Sequence, residues 1–455
     1  MHKIFQRKEM DMLHGSLVDK ILIFALPLAA SSILQQLFNS ADVAVVGRFA
    51  GSEALAAVGA NGPVITLLVN LFVGLSVGAN VAISMFLGRK DNESVERAVH
   101  TAVVLAVLSG IVLLFIGVFL AKPILTAMAV PGDIMHLAVR YLRIYFCGMP
   151  FIMLYNFEAS ILRSKGDTAR PLFTLMISGV ANVVMNLFFV VVLHMNVEGV
   201  AIATVLSNVI SSMILLYFLI HEQGAFRLQK EKLHLHMDIV KMAAKIGIPA
   251  GLQGVVFSLS NVIIQSGLNS LGPDVMAGSA AAVNYEVFAY FLLSSFSQAA
   301  VTFIGQNYGA KNYERCKKAA RDCWMLSAIF IVIMCGIFLL FARPFASIFS
   351  SEPAVIELAV MRMHFILIFE LLNMSIEVLS GCMRGLGRSL VPALICVLGI
   401  CGVRVIWVYT GFAVNRTFMS LLVSYPLSWV VTTVAIVIAY FCLRKRLLGA
   451  KEIVS

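Results

Sequence analysis

Asp42 stands where an apolar helix has no ordinary use for a carboxylate. It ends the run Gln35-Gln-Leu-Phe-Asn39-Ser-Ala-Asp42, and the spacings of four and three set Gln35, Asn39 and Asp42 on one helical face. Inside a bilayer such a stripe faces protein or water, because an ionisable group in hydrocarbon is costly. Asn182 and Asn186 are one turn apart, as are Thr204 and Asn208. Carboxylate, amide and hydroxyl oxygens brought together are the ligands a hard cation such as Na+ prefers. They equally suit a proton site, where a desolvated aspartate holds its proton until access changes. The plainer alternatives are an interfacial carboxylate at position 42 and asparagines that only bind helices together.

The second half of the chain has a milder chemistry. Ser258, Asn261 and Gln265 make a polar stripe without an acid; Tyr285 stands beside Glu286; Glu370 and Glu377 lie seven residues apart on one face, with Asn373 between them. These residues, with Gln35, Asn39 and Asn208, are the candidates for lining a substrate cleft. Arg404 needs an acidic partner, and one of these glutamates is the obvious choice, as a structural ion pair. The 22 methionines and 31 phenylalanines mostly pack or face lipid; any that line a cleft would give an adaptable surface for flat apolar ligands. The eight cysteines show no paired CxxC spacing and read as free thiols.

The elements that hold these residues are membrane helices. Of 455 residues, 60% are hydrophobic and 13% charged, too few charges for a water-exposed surface. About 20 apolar residues span a bilayer, and twelve stretches qualify: 18–46, 54–84, 98–121, 134–161, 170–193, 197–220, 242–268, 275–305, 319–342, 355–382, 391–413 and 418–443. The first reads as an uncleaved insertion signal. Lys and Arg collect in alternate loops, from Lys3, Arg7, Lys8 and Lys20 through Arg163 and Lys165 to Arg444 and Lys451, which predicts both termini on the cytoplasmic side. That bias accounts for the net charge of +10, so no nucleic-acid partner is called for.

A shift of 221 residues lays the chain on itself: Arg163 on Arg384, Gly166 on Gly387, Pro171 on Pro392, Gly51 on Gly272 and Lys90 on Lys311, with Pro27 meeting Pro249 at 222. The fold class is therefore an all-α membrane protein of two pseudo-symmetric six-helix bundles, residues 1–220 and 242–455, joined by a cytoplasmic linker at 221–241. Six being even, both halves insert the same way, with a central cleft suited to alternating access. Pro27 and Pro249 are candidate hinges, or static kinks. His221, His234 and His236 in the linker could bind metal, although a solvated amphipathic linker explains them more simply.

Over nearly its full length the chain resembles the multidrug and toxic compound extrusion (MATE) family, nearest its DinF-like and MepA-like bacterial branch. The resemblance rests on Pro27, Asn39-Ser-Ala-Asp42 with Val-Gly47, Gly88-Arg-Lys-Asp, Leu162-Arg-Ser-Lys-Gly-Asp-Thr, Gly199 with Ala201-Ile-Ala-Thr204, Gly305-Gln-Asn-Tyr-Gly309-Ala-Lys-Asn and Met383-Arg-Gly-Leu-Gly-Arg. It implies a V-shaped two-lobe exporter of the bacterial inner membrane that exchanges H+ or Na+ for organic cations and other amphipathic drugs. It further implies a coupling acid at Asp42 and a cation site completed by Asn182, Asn186 and Thr204. Relatives commonly carry aspartate where this chain has Asn186, which tilts the expectation toward H+. The NorM-like acid on the seventh helix has no counterpart. No cofactor is implied beyond the coupling ion, and the chain is expected to act as a monomer in the lipid bilayer. A lipid-linked saccharide flippase of the same superfamily is the rival; it would need a strongly cationic cleft, and Arg404 is the single basic residue read as deep in a span. A membrane enzyme lacks any supporting metal motif, nucleophile elbow or phosphate loop, and a channel would fail to move cargo uphill.

Overall fold

The structure, a computed structural model, describes residues 10–128 and 130–448. Lys3, Arg7, Lys8 and Lys451, part of the charge pattern behind the expected orientation, lie outside the described residues. Among the described residues there is no strand. The apolar runs fold as α1 Val18–Val45, α2 Ser52–Gly88, α3 Asn92–Ala127, α4 Gly132–Cys147, α5 Met149–Ser164, α6 Ala169–Leu187 and α7 Val197–Ile220. There follow α8 Met237–Asn269, α9 Pro273–Gly309, α10 Tyr313–Leu340, the short α11 Ala342–Ser347, α12 Pro353–Leu367 and α13 Glu370–Gly385. The last are α14 Leu390–Cys396, α15 Val403–Tyr409, α16 Gly411–Val414 and α17 Phe418–Leu448. Wider π turns extend α1 over Val46–Ala50 and α6 over Phe188–Val192, and join α14 to α15 over Val397–Gly402.

Among the described residues, ten helical stretches are long and apolar enough to cross a bilayer. The fourth and tenth expected spans, 134–161 and 355–382, are instead broken in two. α4 and α5 meet at Gly148 with a bend of 47°. Pro150, in the first turn of α5, lacks the N–H that would bond back into α4, which weakens the helix at the bend. α12 and α13 part at Ile368 and Phe369, where tight bonds from Phe369 N to Ile366 O (3.0 Å) and from Leu372 N to Phe369 O (2.9 Å) carry the turn.

The duplication is visible in the backbone. Left-handed residues recur at the shift of 221: Gly51 with Gly272 (φ 91° and 104°), Lys90 with Lys311 (both 59°), Gly166 with Gly387 (93° and 75°). After each left-handed lysine a side chain caps the next helix: Asp91 accepts from Ser94 N at 3.0 Å and Asn312 from Arg315 N at 3.2 Å. The turns that start α3 and α10 are thus the same turn made twice.

The chain divides into two compact units, Ala30–Gly251 with Met1–Asp11, and Leu252–Ser455 with Met12–Ala29. The first turns of α1 therefore count with the second unit and the first turns of α8 with the first. Each division falls just beyond a proline, Pro27 or Pro249, and both helices run on through it. In the first unit α2 crosses the start of α8 at backbone distance: a Cβ on Gly78 would stand 2.1 Å from Ala243 O, and one on Gly74 2.4 Å from Gly247 O. The buried stretch of α5 around Phe157 and Leu162 packs with Ala79, Val99 and Phe218.

Candidate functional site

In the first unit, α1, α5, α6 and α7 form a half-open pocket of about 60 Å³ lined by Gln35, Asn39, Asp42, Asn182, Thr204 and Asn208, together with Tyr155 and serines of α6 and α7. That space suits an ion with a few waters and falls below the range of small-molecule pockets. The approach of α1 to α6 depends on Gly179, where a Cβ would lie 1.8 Å from the Phe38 ring. With Phe38 seated there, Asp42 reaches α6 and α7. Asn186 Nδ2 donates to Asp42 Oδ1, and also to Asn182 Oδ1 at 3.3 Å. Thr204 Oγ1 lies 3.4 Å from Asp42 Oδ2 and 3.0 Å from Val200 O. Asn208 Nδ2 donates to Thr204 O at 2.8 Å. Asn186 is fully buried, and its Oδ1 has no partner. Among the described residues no basic group forms an ion pair with Asp42, so its partners are neutral.

The second unit has a larger cavity of about 300 Å³, at the lower edge of the range for small-molecule pockets. Asn261, Gln265, Glu286, Glu370 and Asn373 line it, as expected for a cleft, but the residue that organises it is Arg362 on α12. The Arg362 guanidinium makes a two-pronged bond to Glu286, Nε to Oε1 at 2.7 Å and Nη2 to Oε2 at 2.8 Å, and its Nη1 donates to Ser279 Oγ at 2.6 Å. Glu370 accepts from Asn373 Nδ2 at 2.7 Å. Trp429 and Tyr425 form an aromatic wall, with ring centroids 6.0 Å apart.

Several sequence expectations are corrected here. Arg404 has no glutamate partner among the described residues: it donates from Nε to Ser428 Oγ at 3.2 Å and lies 4.3 Å from the Tyr425 ring centroid. Arg362 already holds Glu286, and a cation over an aromatic face takes the place of the expected ion pair. Nor is Arg404 the single deep basic group, since Arg362 is 2% exposed. Arg362 sits within the expected tenth span, and the rule that an ionisable residue in a span marks a site would have found it. Ser258, Tyr285 and Glu377 do not line the cavity. Ser258 donates to Gly254 O (3.1 Å), and Tyr285 donates to Phe345 O (2.8 Å) inside a knot with Phe338, Phe345 and Phe349. Glu377 is buried on α13, where its backbone carbonyl accepts from Ser297 Oγ at 2.7 Å.

Where α5, α6 and α7 end in the basic loops, a second polar cluster ties the linker down. Glu222 meets Lys165 Nζ at 2.5 Å and also bonds Arg170, which reaches Asp167 at 3.0 Å. Burial opposes the Glu222 charge, but Lys165 and Arg170 together hold its carboxyl below the usual carboxylate range. In the linker, the His234 and His236 rings lie 5.3 Å apart and His221 bonds Tyr217 O. Among the described residues no group of three or more His, Cys, Asp or Glu is arranged to hold a metal ion.

A profile of the family described as MatE matches residues 27–188 and again 249–410, once on each copy of the repeat. The chain belongs to the MATE family of membrane transporters. It is 28% identical over 392 residues to the probable multidrug resistance protein YoeA of Bacillus subtilis, covering 84% of each chain. It is 27% identical over 390 residues to the probable multidrug resistance protein NorM of Thermotoga maritima, covering 84% of this chain and 82% of that one. A solved outward-facing MATE family transporter of the MOP superfamily superposes with a TM-score of 0.90 at 21% identity, over 98% of this chain and 99% of that one. The fold is therefore that of the MATE transporters.

Proposed function

We propose that this protein is a proton-coupled exporter of organic cations and other amphipathic drugs in a bacterial cytoplasmic membrane, with both termini cytoplasmic and one chain sufficient. The observation that carries this reading is Asp42, half-buried at a small pocket and, among the described residues, bonded only by neutral groups. Those groups can serve a neutral carboxylic acid. Oδ1 accepts from Asn186, a proton on Oδ2 donates to Thr204 Oγ1, and the Thr204 hydroxyl donates in turn to Val200 O. A Na+ site would need oxygen lone pairs converging on the ion, whereas Asn186 turns its N–H2 to Asp42. The larger cavity of the second unit is the place for cargo, with Glu370, which accepts from Asn373 and forms no ion pair among the described residues, as its acid, and Pro27 and Pro249 are the points about which α1 and α8 flex. Coupling then requires that proton and drug favour different states of the protein.

Drug counterflow in proteoliposomes under separately imposed proton and sodium gradients tests the reading. Uptake driven by the proton gradient alone is expected; uptake that answers only to sodium overturns the choice of ion, and downhill flux alone overturns transport by antiport. The rival reading as a saccharide flippase gains Arg362 as a second buried cation, but Glu286 neutralises it, so the cavity is not strongly cationic.

A further inference from the structure

Glu158 on α5 is fully buried, and neither of its carboxyl oxygens has a hydrogen-bond partner. It lies inside the fourth expected span, where the sequence reading passed over it. A carboxyl group so placed is costly, and the fold does not require it: the shift of 221 carries Glu158 onto Leu379, buried on α13 in the second copy of the same helix. A costly group that the repeat replaces by leucine calls for a reason outside packing.

Its surroundings supply one. Tyr155 precedes Glu158 by three residues, on the same helical face, and lines the Asp42 cavity. From Tyr155, α5 runs through Glu158 to Arg163 and then to Lys165 at the basic end. Between the Asp42 pocket and that end, Tyr155 and then Glu158 follow one another along one face of α5. Among the described residues, the helices packed on α5 bring Glu158 no hydrogen-bond partner. Asn80 of α2 donates to Ser160 O at 3.0 Å; Glu96, Arg97 and His100 of α3 are engaged with Lys232, Asp238 and Gln229; Lys165 is held by Glu222.

Resting on the proton-coupled reading above, we propose that Glu158 is the inner stage of the proton path, taking the proton that Asp42 gives up and releasing it at the basic end of α5. One O–H bond breaks at the Asp42 carboxyl and one forms at the Glu158 carboxylate. The Tyr155 hydroxyl passes its own proton inward and regains one from the cavity.

The test uses the full-length protein in proteoliposomes, with ethidium as the transported cation. Glu158→Leu removes an unpartnered buried carboxyl, so its melting temperature is expected to equal or exceed that of the wild type, and its ethidium affinity to stay within twofold. Ethidium transport driven by a proton gradient is expected to fall at least tenfold, while ethidium exchange at equal pH persists and Glu158→Asp recovers part of the driven rate. Driven transport by Glu158→Leu within twofold of wild type overturns the proposal. Should that variant fail to insert, Glu158→Gln is judged by the same ratio of driven transport to exchange. A wild type that ignores the proton gradient refutes the coupling reading itself, an outcome distinct from a wild type that couples and a Glu158 variant that couples equally well.

Discussion

The two copies of one helical unit hold cavities of opposite character. The shift of 222 that lays Pro27 on Pro249 carries Asn39 onto Asn261, an amide kept in both cavities, and Asp42 onto Ile264, an acid in one and a hydrocarbon in the other. The shift of 221 carries Thr204 onto Tyr425, so a hydroxyl that faces a carboxylate becomes a ring that faces two guanidiniums. The scaffold, down to its left-handed lysines and capped turns, has been held constant while the lining was rewritten. A small cavity with one acid and neutral donors can change its charge by binding a single proton. A cavity five times larger, with Glu286 locked to Arg362, offers room instead. Under the proposed function, coupling falls to one copy and cargo to the other.

The sharpest way to break that assignment is Asp42→Asn, which keeps shape and removes the titrating group. Resistance of cells to exported drugs is expected to fall to the level of cells without the protein, with membrane insertion unchanged; undiminished resistance would remove Asp42 from the mechanism. Glu370→Gln in the other cavity should leave proton drive intact and change the apparent KM for cationic drugs instead. Next in size is Arg362→Ala, which leaves Glu286 buried without its partner. Breaking a buried pair from one side costs about 3–5 kcal/mol, seen as a lower melting temperature in detergent. The double variant Arg362→Met with Glu286→Leu should recover most of that loss, and equal destabilisation in the double variant would mean the pair itself is not the cause.

The first unit was the more legible of the two in sequence. Spacings of three, four and seven residues are properties of one helix, and they sufficed to group Gln35 with Asn39 and Asp42, and Asn182 with Asn186. Which helix faces which is a long-range matter, and there the repeat and the family resemblance carried the reading. Arg404 shows the limit: its chemistry demanded a partner, but the choice between Glu286, Glu370 and a tyrosine ring depends on where α12 places Arg362, which no local spacing encodes. Tyr285 shows another, since its place beside Glu286 in sequence turns it about 100° around α9, into an aromatic knot. The breaks at Gly148 and at Ile368 were hidden by continuous apolarity, although Pro150 was a usable signal for the first.

Asn186→Asp probes the proton site more gently. It supplies the second carboxylate that the amide withholds and turns oxygen lone pairs toward the space beside Asp42. The response of transport to external sodium is expected to rise by about tenfold, which is about 1.4 kcal/mol, read as the sodium concentration giving half-maximal drug release from vesicles. An unchanged sodium response would mean that the amide at 186 does not set the ion preference.

The smallest effect concerns the basic end of the first unit, where Glu222 has no acidic counterpart in a cavity and serves only to hold the linker to Lys165 and Arg170. Because these two cations hold its carboxyl below the usual range in the folded state, the folded protein binds fewer protons there than the unfolded chain. The sign follows: this stabilisation is complete above the unfolded carboxylate value of about 4.3 and is lost as pH falls through the lower folded value. Glu222→Gln keeps a neutral hydrogen bond and loses the charge assistance, so it should melt below the wild type at pH 7 by on the order of 1 kcal/mol, and the gap should close as the medium is acidified past pH 4. A gap that persists at pH 3 would show that the side chain acts there by shape and not by charge.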